Sequence, residues 1–160
     1  MSCPSIDSPP VCGLNGVTYS HLPIDQPILH CGACGHCSNI HDIKIYNQTR
    51  NTLTNTARKC AHLYFVPIIG ESLVRKCMEE NVGFTPACNE CWVNDVKCSL
   101  SNCLRECLLN PDQCIACNEI KCGPSFRKCV GANRRRTGII TDIRHADEEI
   151  CTIMDSTLWE

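Results

Sequence analysis

At 160 residues the chain has room for one domain with a small appendage, and its 17 cysteines exceed the roughly 8–10% level that marks a disulfide scaffold. A net charge of −2 favours neither nucleic acid nor an anionic membrane as partner. The longest apolar run, Leu63 to Ile69, is broken by Pro67 and is far too short to span a bilayer.

Only eight residues are Phe, Tyr or Trp, so the large side chains that usually dominate core burial are scarce. Cysteine must make up the difference. Cytosolic thiols are kept reduced, and the cysteines here are spread along the chain rather than gathered into ligand clusters, so disulfides in an oxidising compartment are expected. The candidates are Cys3, Cys12, Cys31, Cys34, Cys37, Cys60, Cys77, Cys88, Cys91, Cys98, Cys103, Cys107, Cys114, Cys117, Cys122, Cys129 and Cys151. Their odd number leaves at least one sulfur free, metal-bound or joined to another chain, and the pairing stays open. Met1-Ser2-Cys3-Pro4 is not a secretory signal; the expectation is a targeting segment that is no part of this sequence.

In chain order, residues 1–30 hold five of the nine prolines and read as an extended arm with a hairpin at Asn15-Gly16. Residues 31–37, CGACGHC, form a tight Gly/Cys loop, after which Ser38 or Asn39 caps a helix. Asn47-Gln48-Thr49 is an N-glycosylation sequon. Leu53, Ala57, Cys60, Ala61 and Tyr64 share a helical stripe that Pro67 ends. A further helix starts near Glu71, turns Leu73, Val74, Cys77 and Met78 inward, and stops at Gly83. Thr85-Pro86 opens the next, with Cys88, Cys91 and Cys98 on one face. Ser101 caps another, with Leu100, Cys103, Leu104, Cys107 and Leu108 at helical spacing. Asn110-Pro111 starts one carrying Cys114 and Cys117, and a last piece holds Phe126, Cys129 and Val130 before Gly131. The expected fold is mainly α: a disulfide-rich domain of short helices over residues 31–131, an extended N-terminal arm with a β-hairpin over 1–30, and a tail over 132–160. Helices of two or three turns are marginal alone, so bridges are expected between them.

Three motifs carry sharper chemistry. Cys34-Gly35-His36-Cys37 matches the dithiol of disulfide isomerases, whose first thiol needs a helix N-terminus and whose second resolves the mixed disulfide. No strand pattern or βαβ unit supplies the fold such a dithiol needs. Cys31, Cys34, Cys37 and His41 have the spacing of an iron–sulfur or zinc ligand set, but a histidine stands where a ferredoxin-type run has its fourth cysteine and the following proline is missing. A structural Gly/Cys knot is preferred over both, with no cofactor and no catalytic residue. Arg134-Arg135-Arg136, near Arg127-Lys128, reads either as a solvated basic edge or as a patch docking a partner's carboxylates or lipid phosphates.

Two resemblances accompany these readings. Cys3-Pro4, Pro10-Val11-Cys12-Gly13 and Asn15-Gly16-Val17-Thr18-Tyr19 resemble the first half of a Kazal-type protease inhibitor. The interval from Cys3 to Cys12 is one residue too long for that family, however, and Pro23 stands where its next cysteine belongs. The resemblance implies inhibition through Ser5. HCGACGHCSNIHDI, ARKCAH, VGFTPACNECWVNDVKC and CGPSFRKCVGANRRRTGIITDI are similar to a cysteine-rich family of unknown function in algae with secondary plastids, over residues 30–143. That similarity implies the thylakoid lumen or the secretory path, and a place in a photosynthetic assembly. The expected function is a non-enzymatic structural or binding subunit of a larger complex, with protein partners and no nucleic acid, not membrane-spanning though near a membrane surface. The alternatives are a metal or redox protein built on CGACGHC, and a secreted inhibitor.

Overall fold

The computed structural model describes residues 10–141 and Cys151. The protein is mainly α, with one small antiparallel sheet. It divides into two compact units, one made of residues up to Leu53 together with those from Val130 onward, the other running from Thr54 to Cys129.

In the first unit, β1 (Val11–Gly13) is flanked by β2 (Thr18–Tyr19) and β3 (Ile28–Cys31), both antiparallel to it. The β1–β2 hairpin is the expected one, but its loop is longer than a two-residue turn. Gly13 N–H donates to Val17 O, and Gly16 takes φ 78°, a conformation glycine adopts freely. The third strand was not expected. It pairs Val11 with Cys31 and Cys12 with His30, so the described part of the arm is anchored at both its ends. Asn39 caps α1 (Ile40–Gln48), its side chain accepting from Asp42 N. Val11, Leu29, Ile43, Tyr46 and Ala132 are buried in this unit.

The second unit runs through α2 (Leu53–Ala61), a 3₁₀ turn (His62–Phe65), α3 (Gly70–Asn81), α4 (Pro86–Asn102), α5 (Leu104–Leu109), α6 (Pro111–Lys121) and α7 (Gly123–Val130). The expected helix starts at Thr85-Pro86 and Asn110-Pro111 are both present, and Asn110 accepts from Asp112 N and Gln113 N. Ser101 is not a cap. α4 runs through it for 17 residues and ends at Cys103, whose N–H still donates to Ser99 O. α4 is the centre of the unit and packs on α3, α5 and α6. Its Trp92 stacks on Phe84 at 5.8 Å and meets Phe126 edge-on at 4.9 Å, the geometry aromatic quadrupoles favour. Val74, Met78, Val82, Val93 and Val96 are buried in the same unit. Between α3 and α4, Arg75 clamps Glu90 through two nitrogens at 2.8 and 3.0 Å and also reaches Glu71, which Lys97 contacts at 2.9 Å. These cations hold both carboxyls below their usual pKa, Lys97 acting first on Glu71 and Arg75 on Glu90.

Bridges reinforce this thin packing. Cys60–Cys77 ties α2 to α3, Cys91–Cys129 ties α4 to α7, and Cys98–Cys122 ties α4 to the end of α6. Cys103–Cys117 and Cys107–Cys114 rivet α5 against α6. No helix among the described residues is long and apolar enough to cross a membrane.

Candidate functional site

The Gly/Cys loop of residues 31–37 lies in the first unit, and its sulfurs are all oxidised. Cys34 is bonded to Cys12 on β1, and Cys31 to Cys151. Cys37 is also in a disulfide. Cys34 and Cys37 therefore do not form the internal disulfide of a CxxC redox pair. In this state Cys31, Cys34 and Cys37 carry no thiolate to offer a metal beside His41. All sixteen cysteines among the described residues, Cys37 and Cys88 included, are disulfide-bonded. Cys3, like Ser5, is outside the described residues.

Backbone contacts clasp the same loop. Cys34 N donates to Thr18 Oγ1, and Gly32 N to Pro10 O. From the other side, Cys31 N donates to Arg136 O and Cys37 N to Val130 O. Gly32 has φ 90°, and a Cβ there would lie 2.8 Å from Arg136 Cζ. Gly131 has φ 67°, and a Cβ there would collide with the backbone of Gly35. Two glycines thus let the segment after α7 close directly on the Gly/Cys loop.

That segment contains the arginine run. Arg134 is 5% exposed, and its Nη1 donates to Arg50 O at 2.9 Å. Arg136 Nη1 donates to Gly131 O at 2.9 Å, and its N–H to Asn133 Oδ1. Arg135 is half-buried, and its carbonyl accepts from Cys151 N. The docking edge expected at Arg134, Arg135 and Arg136 is thus corrected at Arg134. Its guanidinium satisfies a main-chain carbonyl inside the fold, so it is not on offer to a partner.

One constellation here had no sequence signal. His30 is fully buried; its Nε2 lies 2.7 Å from Ser38 Oγ and its Nδ1 lies 2.8 Å from Cys31 O. A carbonyl only accepts, so Nδ1 carries the proton and Nε2 accepts the Ser38 hydroxyl. This is the contact of a nucleophile with its base. Its surroundings oppose that use. Burial, outweighing the carbonyl of Cys31 and helped by Arg136, lowers the His30 pKa to about 4, leaving a weak base near neutral pH. Ser38 Oγ also accepts from Gly35 N at 2.8 Å, and a Cβ at Gly131 would sit 2.6 Å from it. The hydroxyl thus braces the loop through both contacts.

Compared with known proteins, residues 71–153 match the model of a family of unknown function, DUF8771. No curated protein and no solved structure matches the chain.

Proposed function

The chain belongs to the DUF8771 family, and since that family brings no activity we propose from the geometry that it is a non-enzymatic structural or binding subunit of a larger assembly. The observation that carries this reading is the use of the CGACGHC sulfurs. They are spent on the arm through Cys12 and on the tail through Cys151, where a redox enzyme would keep a reversible Cys34–Cys37 pair and a zinc or iron–sulfur protein would keep thiolates. Sixteen oxidised cysteines suit an oxidising compartment. Within that class we place the protein in the thylakoid lumen, on a photosynthetic membrane complex, on the strength of the algal resemblance. Kazal-like inhibition through Ser5 is the weaker reading, because its family spacing is broken at the arm.

The test is blue-native electrophoresis of the native source under non-reducing conditions, followed by mass spectrometry of the band. Comigration with a large complex is expected. Recovery only as a 17.8 kDa chain sinks the assembly reading, and turnover of a disulfide substrate that Cys34→Ser abolishes restores the oxidoreductase.

A further inference from the structure

From the last residue of the 3₁₀ turn to the start of α3 the chain exposes five consecutive residues, Phe65-Val66-Pro67-Ile68-Ile69. Phe65 is 57% exposed, Ile69 51%, and Ile68 is fully in solvent. Monomeric soluble proteins seldom display contiguous large apolar groups without a use for them. The backbone adds a second observation. Ile68 has φ 70° and is the one non-glycine residue with positive φ among the described residues. A β-branched side chain there is strained, and at full exposure it gains no packing within the chain in return. Strain of this kind concentrates at functional sites.

The loop is also tied down at its base. Cys60–Cys77 closes its base, and Gly70 packs so tightly on the Tyr64 carbonyl that no Cβ would fit. Its polar backbone is largely satisfied from within: Val66 N donates to Leu63 O, Ile69 N to Pro67 O and Gly70 N to Val66 O, while Pro67 has no N–H to satisfy. Internal satisfaction is what hydrocarbon demands of a backbone. A strand-adding peptide site, in contrast, would leave its N–H groups pointing outward.

Charge along the chain adds a third observation. From Thr54 to Gly70 there is no Asp or Glu, while Arg58 and Lys59 stand beside Cys60 at the base of the loop. No ion pair found among the described residues contains Arg58 or Lys59. Glu71, the first acidic residue beyond, is matched by Arg75 and Lys97. The whole-chain charge of −2 hides this local order along the chain, two cations followed by an exposed apolar run, a pairing that suits a bilayer's anionic headgroups and acyl chains.

We propose that residues 65–69 insert into the interfacial region of an anionic lipid bilayer, with Arg58 and Lys59 on the headgroups. The anchor needs no assembly partner, so it stands or falls apart from the subunit role. The experiment is sedimentation of the purified, oxidised full chain with phosphatidylcholine vesicles, with and without phosphatidylglycerol. Binding to the anionic vesicles that weakens in salt is expected. Ile68→Gly removes the prong and relieves the strain, so it should weaken binding by about tenfold or more, as expected for the loss of a buried apolar side chain, with Tm unchanged or raised. Lys59→Gln should reduce the preference for anionic lipid. Absence of wild-type binding, or equal binding by Ile68→Gly, overturns the proposal. If Ile68→Gly instead displaces the chain from a protein complex while vesicles bind neither form, the loop is a protein-docking prong.

Discussion

His30 shows what a single residue contributes when its charge state is fixed by the fold. The neutral ring accepts the Ser38 hydroxyl and donates to Cys31 O, closing the base of the Gly/Cys loop. Its pKa falls from 6.5 to about 4 on folding, so between those values the unfolded chain binds a proton that the folded chain refuses. Stability from this residue is therefore complete above pH 6.5 and is lost as pH drops toward 4, by roughly 3 kcal/mol in total. Thermal unfolding followed across that window should give a falling Tm for the wild type and a shallower fall for His30→Gln. Equal slopes would mean the ring is protonated in the fold and the assigned tautomer is wrong. Nothing in the sequence around His30 announces this role, because Ser38 is eight residues away and becomes its partner only once β3 has turned into the loop. Arg134 was hidden for the same reason. A basic run is usually solvated, and the carbonyl that draws Arg134 inward belongs to Arg50, far off in sequence.

At the scale of elements, signals confined to a few neighbouring residues were readable and those needing a distant partner were not. Asn39, Thr85-Pro86 and Asn110-Pro111 mark helix starts through orphan N–H groups and a fixed proline φ, and all three helices begin there. β3 depends on pairing with β1, and α4 continues through Ser101 because a serine signals a cap only where the helix actually breaks. The bridges divide in the same way. Their presence was plain from cysteine density, their partners were not. The partners now set a ranking. The chain-entropy term grows with loop length, from about 2 kcal/mol for the 7-residue separation of Cys107–Cys114 to about 5 kcal/mol for the 120-residue separation of Cys31–Cys151. Paired Cys→Ser variants should follow that order in denaturant midpoint, with Cys103–Cys117, separated by 14, between them. A reversed order would show that local packing of α5 on α6 matters more than restriction of the unfolded chain.

For the molecule as a whole, the question is whether its apolar core could hold without sulfur. Three Phe, three Tyr and two Trp serve 160 residues, and Phe65 is largely exposed, so the burial available per residue is low for a chain this long. α5 has six residues and α7 eight, lengths at which an isolated helix does not persist. Both are held by cross-links to longer neighbours. Alkylation without reduction should leave the sixteen bonded cysteines unlabelled and label Cys3 at most, as read by peptide mass spectrometry; labelling of most positions would end the disulfide reading and reopen metal ligation. Reduction under non-denaturing conditions then gives the decisive contrast. If the staples supply what the core lacks, complete reduction at 25 °C should abolish the cooperative thermal transition and most of the helical circular dichroism, and reoxidation with isomerase should restore both. A reduced chain that still melts cooperatively would show that Trp92, Phe84 and Phe126, with Val74, Met78 and Val93, suffice to hold α3, α4 and α7 together. The bridges would then protect an already stable fold, and the core would deserve more weight than its composition suggests.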